Sequence, residues 1–489
     1  MRNSLSVAVI FRVIASLISV ASAFISIRLY NLYVAKEVYG VILVGLGIIG
    51  YLPIMSGGFR MVLNQRMLAE PNPEAAKATA RFGQTLQTYF LLFVLLAGMS
   101  LMAAYSQVPS TRALALPILV FIATGAAAAA TFHAGSQLAL LVAFGEQVIS
   151  TVIQSSWGLM GLFILWATFR MGWGVWAFPA SIGFGALFTL LCVRVVLITT
   201  KHDVPLLVWH RGKDFWERLK TIWRSAIDCL HNQIVTAVIF SSDLIIVGIL
   251  IGPGEAAVYG LVTRIAALSR QVLQSLSEAA WPRLTQELDS QRKATMMRKV
   301  DRLNAWSVGC WYGAMAATLL PFLGSLVKAD WIASPMLADL IIMRNFIISL
   351  SGPHSYGLIS AGKFKELARL SQFEAIVGVV LGVALSYAAG VVGTAVAYLL
   401  ASCSMSAWQM TREYFRFADD THWLAELWAI WWRGIVGVGV GLAVATAVWS
   451  LEQTGFRAHG WRSILAGGIG YGLPMAAVMI WWRVAGRIP

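Results

Sequence analysis

Hydrophobic and polar positions do not alternate residue by residue along this chain; long apolar runs are separated by short clusters of charge, glycine and proline. A helix needs roughly 20 mostly apolar residues to cross the hydrocarbon core of a bilayer, and about 14 runs reach that length. Their approximate limits are 5–27, 38–62, 83–104, 114–132, 147–169, 175–198, 226–250, 256–281, 304–327, 335–359, 371–389, 391–411, 427–450 and 463–483. The pattern predicts an all-α integral membrane protein with no soluble catalytic domain.

Composition agrees. Of 489 residues, 58% are hydrophobic and 12% charged, with a mean hydropathy of +0.72, whereas soluble domains carry about a quarter charged residues. The net charge of +14 does not indicate a nucleic-acid partner, because that function gathers Lys and Arg on one soluble face. Here the basic residues sit in alternate connections: Arg66, Lys77 and Arg81; the group from Lys201 to Arg224; the group from Arg283 to Arg302; and Lys363, Lys365 and Arg369. Lys and Arg favour cytoplasmic loops, so both termini and residues 199–225 are expected in the cytoplasm, with the chain in a bacterial-type inner membrane. The first run contains Arg12 and lacks a small-residue cleavage site, so it reads as a span, not a removable signal. Cys192, Cys229, Cys310 and Cys403 lie in apolar runs at spacings that suit neither a metal knuckle nor a redox pair. No metal or cofactor is expected.

Two landmarks recur at nearly one offset. Tyr39-Gly40 opens the second run and Tyr259-Gly260 the eighth, 220 residues on; Gly172-Trp173-Gly174 is echoed 219 residues on by the Gly390–Gly393 segment. The reading is two duplicated six-helix lobes, 1–198 and 226–411, joined by the connector 199–225 and followed by two helices in 412–489. Six is even, so the lobes share one orientation, as in transporters whose substrate site lies between halves that rock against each other.

Ionisable groups within a membrane are costly and usually face a cavity or a partner. Arg12, Ser16, Ser19 and Ser26 share one helical stripe, and Arg264, Gln271, Ser275 and Glu278 repeat that spacing. Each stripe reads as a cationic, hydrogen-bonding cavity wall, or else as a close-packing seam with Arg12 reaching the interface. Arg270, Arg344 and Arg60 are further cavity candidates. Arg344 precedes Gly352-Pro353, a pair able to bend a helix, and a structural salt bridge is its alternative role. Asp228, His231 and Asp243 fall within about a third of the circumference of the seventh helix. With Glu278 they are the candidates for ion coupling, and pairing with arginine is the alternative for Asp243 and Glu278.

The stretch from Ser242-Asp243-Leu244 through Gly254, Tyr259 and Arg264 to Trp281-Pro282-Arg283, and a second from Gly352 through Ala361-Gly362-Lys363 to Gly390 and Gly393, resemble the multidrug/oligosaccharidyl-lipid/polysaccharide exporter superfamily. Within it they are similar to the polysaccharide or O-antigen lipid-linked oligosaccharide flippases. The resemblance implies 14 helices and alternating access that moves an undecaprenyl-pyrophosphate-type lipid-linked oligosaccharide to the outer leaflet. The expected surroundings are membrane lipids, a polysaccharide polymerase and a chain-length regulator. Arginine suits such cargo, since its planar fork binds phosphate oxygens in pairs and stays charged. A drug/cation antiporter of the same superfamily would favour carboxylates where this chain has arginines, and a lipid II flippase would share the anionic cargo. An enzyme of polysaccharide synthesis should show a large outer loop or a carboxylate pair, and the first outer connection holds only Lys36-Glu37.

Overall fold

The computed structural model describes residues 5–52, 54–69, 73–144, 146–200, 205, 207–208, 213–286, 290–360, 363–417 and 423–453. The expected last span, 463–483, lies outside them. The elements are α1 Leu5–Tyr33, α2 Lys36–Gly50, α3 Ile54–Ala69, α4 Pro73–Ser106, the short α5 Pro109–Arg112, α6 Ile118–Ala143, α7 Gln147–Arg170 and α8 Ala177–Thr199. They continue with α9 Lys213–Ile246, α10 Pro253–Gln286, α11 Ser290–Leu326, α12 Pro335–Ser360, α13 Phe364–Ser404, α14 Gln409–Phe417 and α15 Trp423–Gln453. No strand occurs among the described residues. Nine described segments are long and apolar enough to cross a membrane; α10, which carries Arg264 and Arg270, is not among them.

Burial runs opposite to that of a water-soluble bundle. Leu96, Leu191 and Val380 stand 60% or more exposed, while Gln137, Asp243, His354 and Thr394 are wholly buried. Large apolar side chains on the perimeter are costly in water and are the solvated face in lipid. The chain is a multi-pass membrane protein.

By packing, the chain divides into two compact units, Met1–Ala257 and Val258–Pro489. In the first, α6 lies between α4 and α8, α7 packs on α8 and α1, and α3 packs on α9. Gln84 of α4 and Gln137 of α6 exchange hydrogen bonds of 2.7 and 3.3 Å, which satisfies two buried amides away from water. The second expected run, 38–62, is not one helix. α2 ends at Gly50, and Tyr51 and Leu52 donate to the carbonyls three residues back, the tightened last turn of a helix end. Pro53 follows in sequence, and proline cannot continue the backbone ladder. α9 also starts earlier than the expected 226, so half of the connector 199–225 is the first part of a long helix.

In the second unit α11 packs along α15 through glycine on both sides. A Cβ on Gly313 would meet the Val438 carbonyl, and one on Gly441 would meet that of Cys310. Small residues four apart let two backbones approach this closely. α12 runs unbroken through Pro353. Pro353 offers no N–H to the Ser349 carbonyl, and Asn304 of α11 donates to that oxygen instead, at 2.9 Å. α13 is a hairpin of two arms: Ala389 (φ −136°) and Gly390 (φ 60°, ψ −142°) reverse the chain, in a region nearly reserved for glycine. The second arm ends at Ser404, short of the expected 411, because the chain turns at 405–408 into α14.

Candidate substrate-binding site

α10 starts with Pro253 at its first helical position, where the missing N–H costs nothing. Val258, Leu261, Val262, Ile265, Ala266, Ser269 and Leu273 then recur at helical spacing and are buried. They fix the rotation of the helix, and the remaining stripe of Arg264, Ala267, Leu268, Gln271 and Gln274 is left to line a recess of about 350 Å³, with Arg270 at its edge.

The two arginines of this recess differ. Arg270 is oriented by α12: its Nη1 donates to Asn345 Oδ1 at 3.1 Å, and Asn345 is itself fixed by donating to the Ile341 carbonyl at 2.9 Å. Arg264 has no hydrogen-bonding or ionic partner among the described residues. Two guanidiniums and two amides with no carboxylate between them form a donor-rich surface, suited to phosphate or carboxylate oxygens and to hydroxyls.

Of the sequence candidates, Arg264, Arg270 and Gln271 thus share one recess, while Ser275 and Glu278 lie on the same helix with side chains outside the described residues, as do those of Arg12 and Ser16. Arg60 lies in the first unit on α3, half-buried, its Nη1 3.9 Å from where a Cβ on Gly135 of α6 would stand. Arg344 is buried, its guanidinium 4.8 Å from the Tyr398 ring centre. Asp228 and His231 are exposed on α9, whereas Asp243 is wholly buried, with Tyr51 within electrostatic reach. Twelve to fifteen residues of helix, about 18–22 Å, separate Asp243 from the other two.

Two polar clusters escaped the sequence reading. Glu374, on the first arm of the α13 hairpin, accepts hydrogen bonds from Ser402 and Ser406, each 2.7 Å, and lies within electrostatic reach of Arg344. A lone carboxylate inside the eleventh apolar run was the available signal. The other joins Asp301, His354 and Thr411. Asp301 lies three residues outside the run that begins at 304, so no pattern along the chain marked it.

No family model matches the chain, and no curated protein matches its sequence. Solved structures do match. A lipid II flippase, MurJ, in an inward closed conformation has a TM-score of 0.67 at 13% identity, covering 98% of this chain and 100% of that one. An inward-facing multidrug resistance MATE transporter of the MOP superfamily has a TM-score of 0.56 at 12% identity, covering 91% and 99%. A MOP superfamily transporter from Pyrococcus furiosus, reported with a binding pocket of reverse polarity, has a TM-score of 0.51 at 12% identity, covering 85% and 96%. At these identities the likeness is one of fold alone: the chain has the fold of the superfamily that includes these lipid flippases and multidrug transporters.

Proposed function

We propose that this protein is a flippase that carries a polyprenyl-pyrophosphate-linked oligosaccharide from the cytoplasmic to the outer leaflet of the inner membrane by alternating access, for surface polysaccharide synthesis. The carrying observation is Arg264, a guanidinium without a partner among the described residues, in a recess that also holds Arg270, Gln271 and Gln274. Moving a pyrophosphate through hydrocarbon requires the protein to replace its lost water, and planar guanidinium donors do so while staying charged. Sugar hydroxyls find amide partners in Gln271 and Gln274. The cargo tail stays in lipid, and no covalent bond changes.

The lobes remain 1–198 and 226–411 in this reading, both termini cytoplasmic, with a polymerase and a chain-length regulator as partners. Tyr39 and Tyr259, one repeat apart, are both wholly buried, and Gly172 and Gly390 both take positive φ at a turn between helices. Both pairs support a duplication. Asp243 is the coupling candidate with the strongest physical basis, since its burial makes proton or cation binding consequential.

Lipid II is the second reading, favoured by the overlay on a lipid II flippase along nearly the whole length of both chains. A cationic drug is disfavoured by a recess lined by two arginines and no carboxylate. Complementation separates the two lipid cargoes. Restoring surface polysaccharide in a strain lacking its oligosaccharide flippase supports the first; restoring only viability in a strain depleted of lipid II flippase replaces it with the second.

A further inference from the structure

Asp301 of α11 and His354 of α12 are buried together, with His354 Nε2 3.3 Å from Asp301 Oδ2 and the side chains 0% and 2% exposed. The other imidazole nitrogen, Nδ1, stands 3.4 Å from Thr411 Oγ1 of α14. Each nitrogen of the ring therefore faces an oxygen on a different helix. The Nε2–Oδ2 approach is close but not aligned as a hydrogen bond, and neither Asp301 oxygen has another hydrogen-bonding partner among the described residues.

The surroundings leave little else to neutralise this carboxylate. Tyr414 and Phe415 of α14 stand with ring centres 5.7 and 5.8 Å from that of His354, and Met297, Leu358, Leu367 and Met410 close an apolar cluster with these two rings. From α11, Arg298 lies one turn before Asp301, but its Nε faces Glu426 of α15 at 3.2 Å. Tyr414 lies within electrostatic reach of both Asp301 and Arg298. α13 contributes Leu367 and Leu370 to the cluster. The charged groups of α14 are turned elsewhere, Arg412 over Trp423 and Arg416 toward Glu413.

We propose that Asp301, His354 and Thr411 form a proton-binding site that ties α14 to α11 and α12. With one ring proton, Nε2–H points to Asp301 and Nδ1 accepts from the Thr411 hydroxyl. A second proton arriving from water goes on Nδ1, and the threonine hydroxyl turns from donor to acceptor without any heavy atom having to leave its place. The pair passes from one net negative charge to none, and an imidazolium faces a carboxylate where little water competes. Histidine is the side chain suited to such a change near neutral pH. The bound proton tightens the junction that holds α14. The site stands independently of which cargo the protein carries.

The test is hydrogen–deuterium exchange of the full chain in phospholipid nanodiscs at about pH 5.5 and about pH 8, bracketing the ordinary histidine range, with rates corrected for intrinsic exchange. Residues 405–417 should be protected several-fold more at the lower pH, and His354→Gln and Asp301→Asn should each abolish that difference. Thr411→Val keeps the ion pair and removes the acceptor for the second ring proton, so it should at least halve the difference. Thr411→Val also decides the matter if the other variants do not accumulate. A wild-type segment indifferent to pH overturns the proposal, as does a pH response that survives unchanged in His354→Gln or in Thr411→Val.

Discussion

The Arg344 guanidinium rests 4.8 Å from the centre of the Tyr398 ring, so an arginine of α12 is seated on the second arm of the α13 hairpin while acting electrostatically on Glu374 of the first. The arginine thereby helps to hold both arms. Removing it leaves a buried carboxylate with only its two serine donors, and breaking a buried charge pair costs about 3–5 kcal/mol. Arg344→Ala should accumulate poorly and unfold at lower temperature, and Glu374→Gln in the same chain should restore both. Thermal unfolding of the detergent-solubilised single and double variants checks this. A well-folded Arg344→Ala protein that fails only in export would make Arg344 a cargo contact instead.

Arg264 should behave in the opposite way. With no partner to orphan among the described residues, Arg264→Ala should reach normal membrane levels and lose surface polysaccharide export. Arg264→Lys should also lose most of it, roughly tenfold or more, because an ammonium keeps the charge but not the planar fork. Polysaccharide yield normalised to protein level in a complemented strain measures both.

The glycine seam between α11 and α15 should tolerate no side chain at its closest points. Gly313→Ala and Gly441→Ala each place a methyl against a facing backbone carbonyl, and overpacking of this kind costs about 1–3 kcal/mol. Gly439, with nothing near its missing Cβ, is the control and should accept alanine. Melting temperatures of the three variants provide the comparison.

Reporter fusions should place position 212 and both termini in the cytoplasm, since the Lys and Arg bias runs consistently along the chain. An externally active reporter at 212 would overturn the orientation and the lobe assignment that rests on it.

The apolar runs carried most of the fold, because length and hydropathy are all a bilayer asks of a span. They failed where tertiary or single-residue effects decide. The break before Pro53 was disguised by apolar residues on both sides, and the early start of α9 by the amphipathic character of 213–225, which reads as a connector. Of the site, the stripe carrying Arg264 and Gln271 was legible because helical periodicity alone puts them on one face. The Asp301–His354–Thr411 cluster was not. Its members come from three helices up to 110 residues apart, and only packing brings them together.

The reversal at Ala389–Gly390 leaves no linker between the two arms of α13. During synthesis the first arm therefore cannot be released into lipid as a finished span that waits for its neighbour. The two arms partition as a pair, and Glu374 enters the bilayer with Ser402 and Ser406 already on the opposing arm to receive it. A two-residue turn thus sets an order of events at the translocon: a carboxylate too costly to offer to hydrocarbon alone is never offered to it alone.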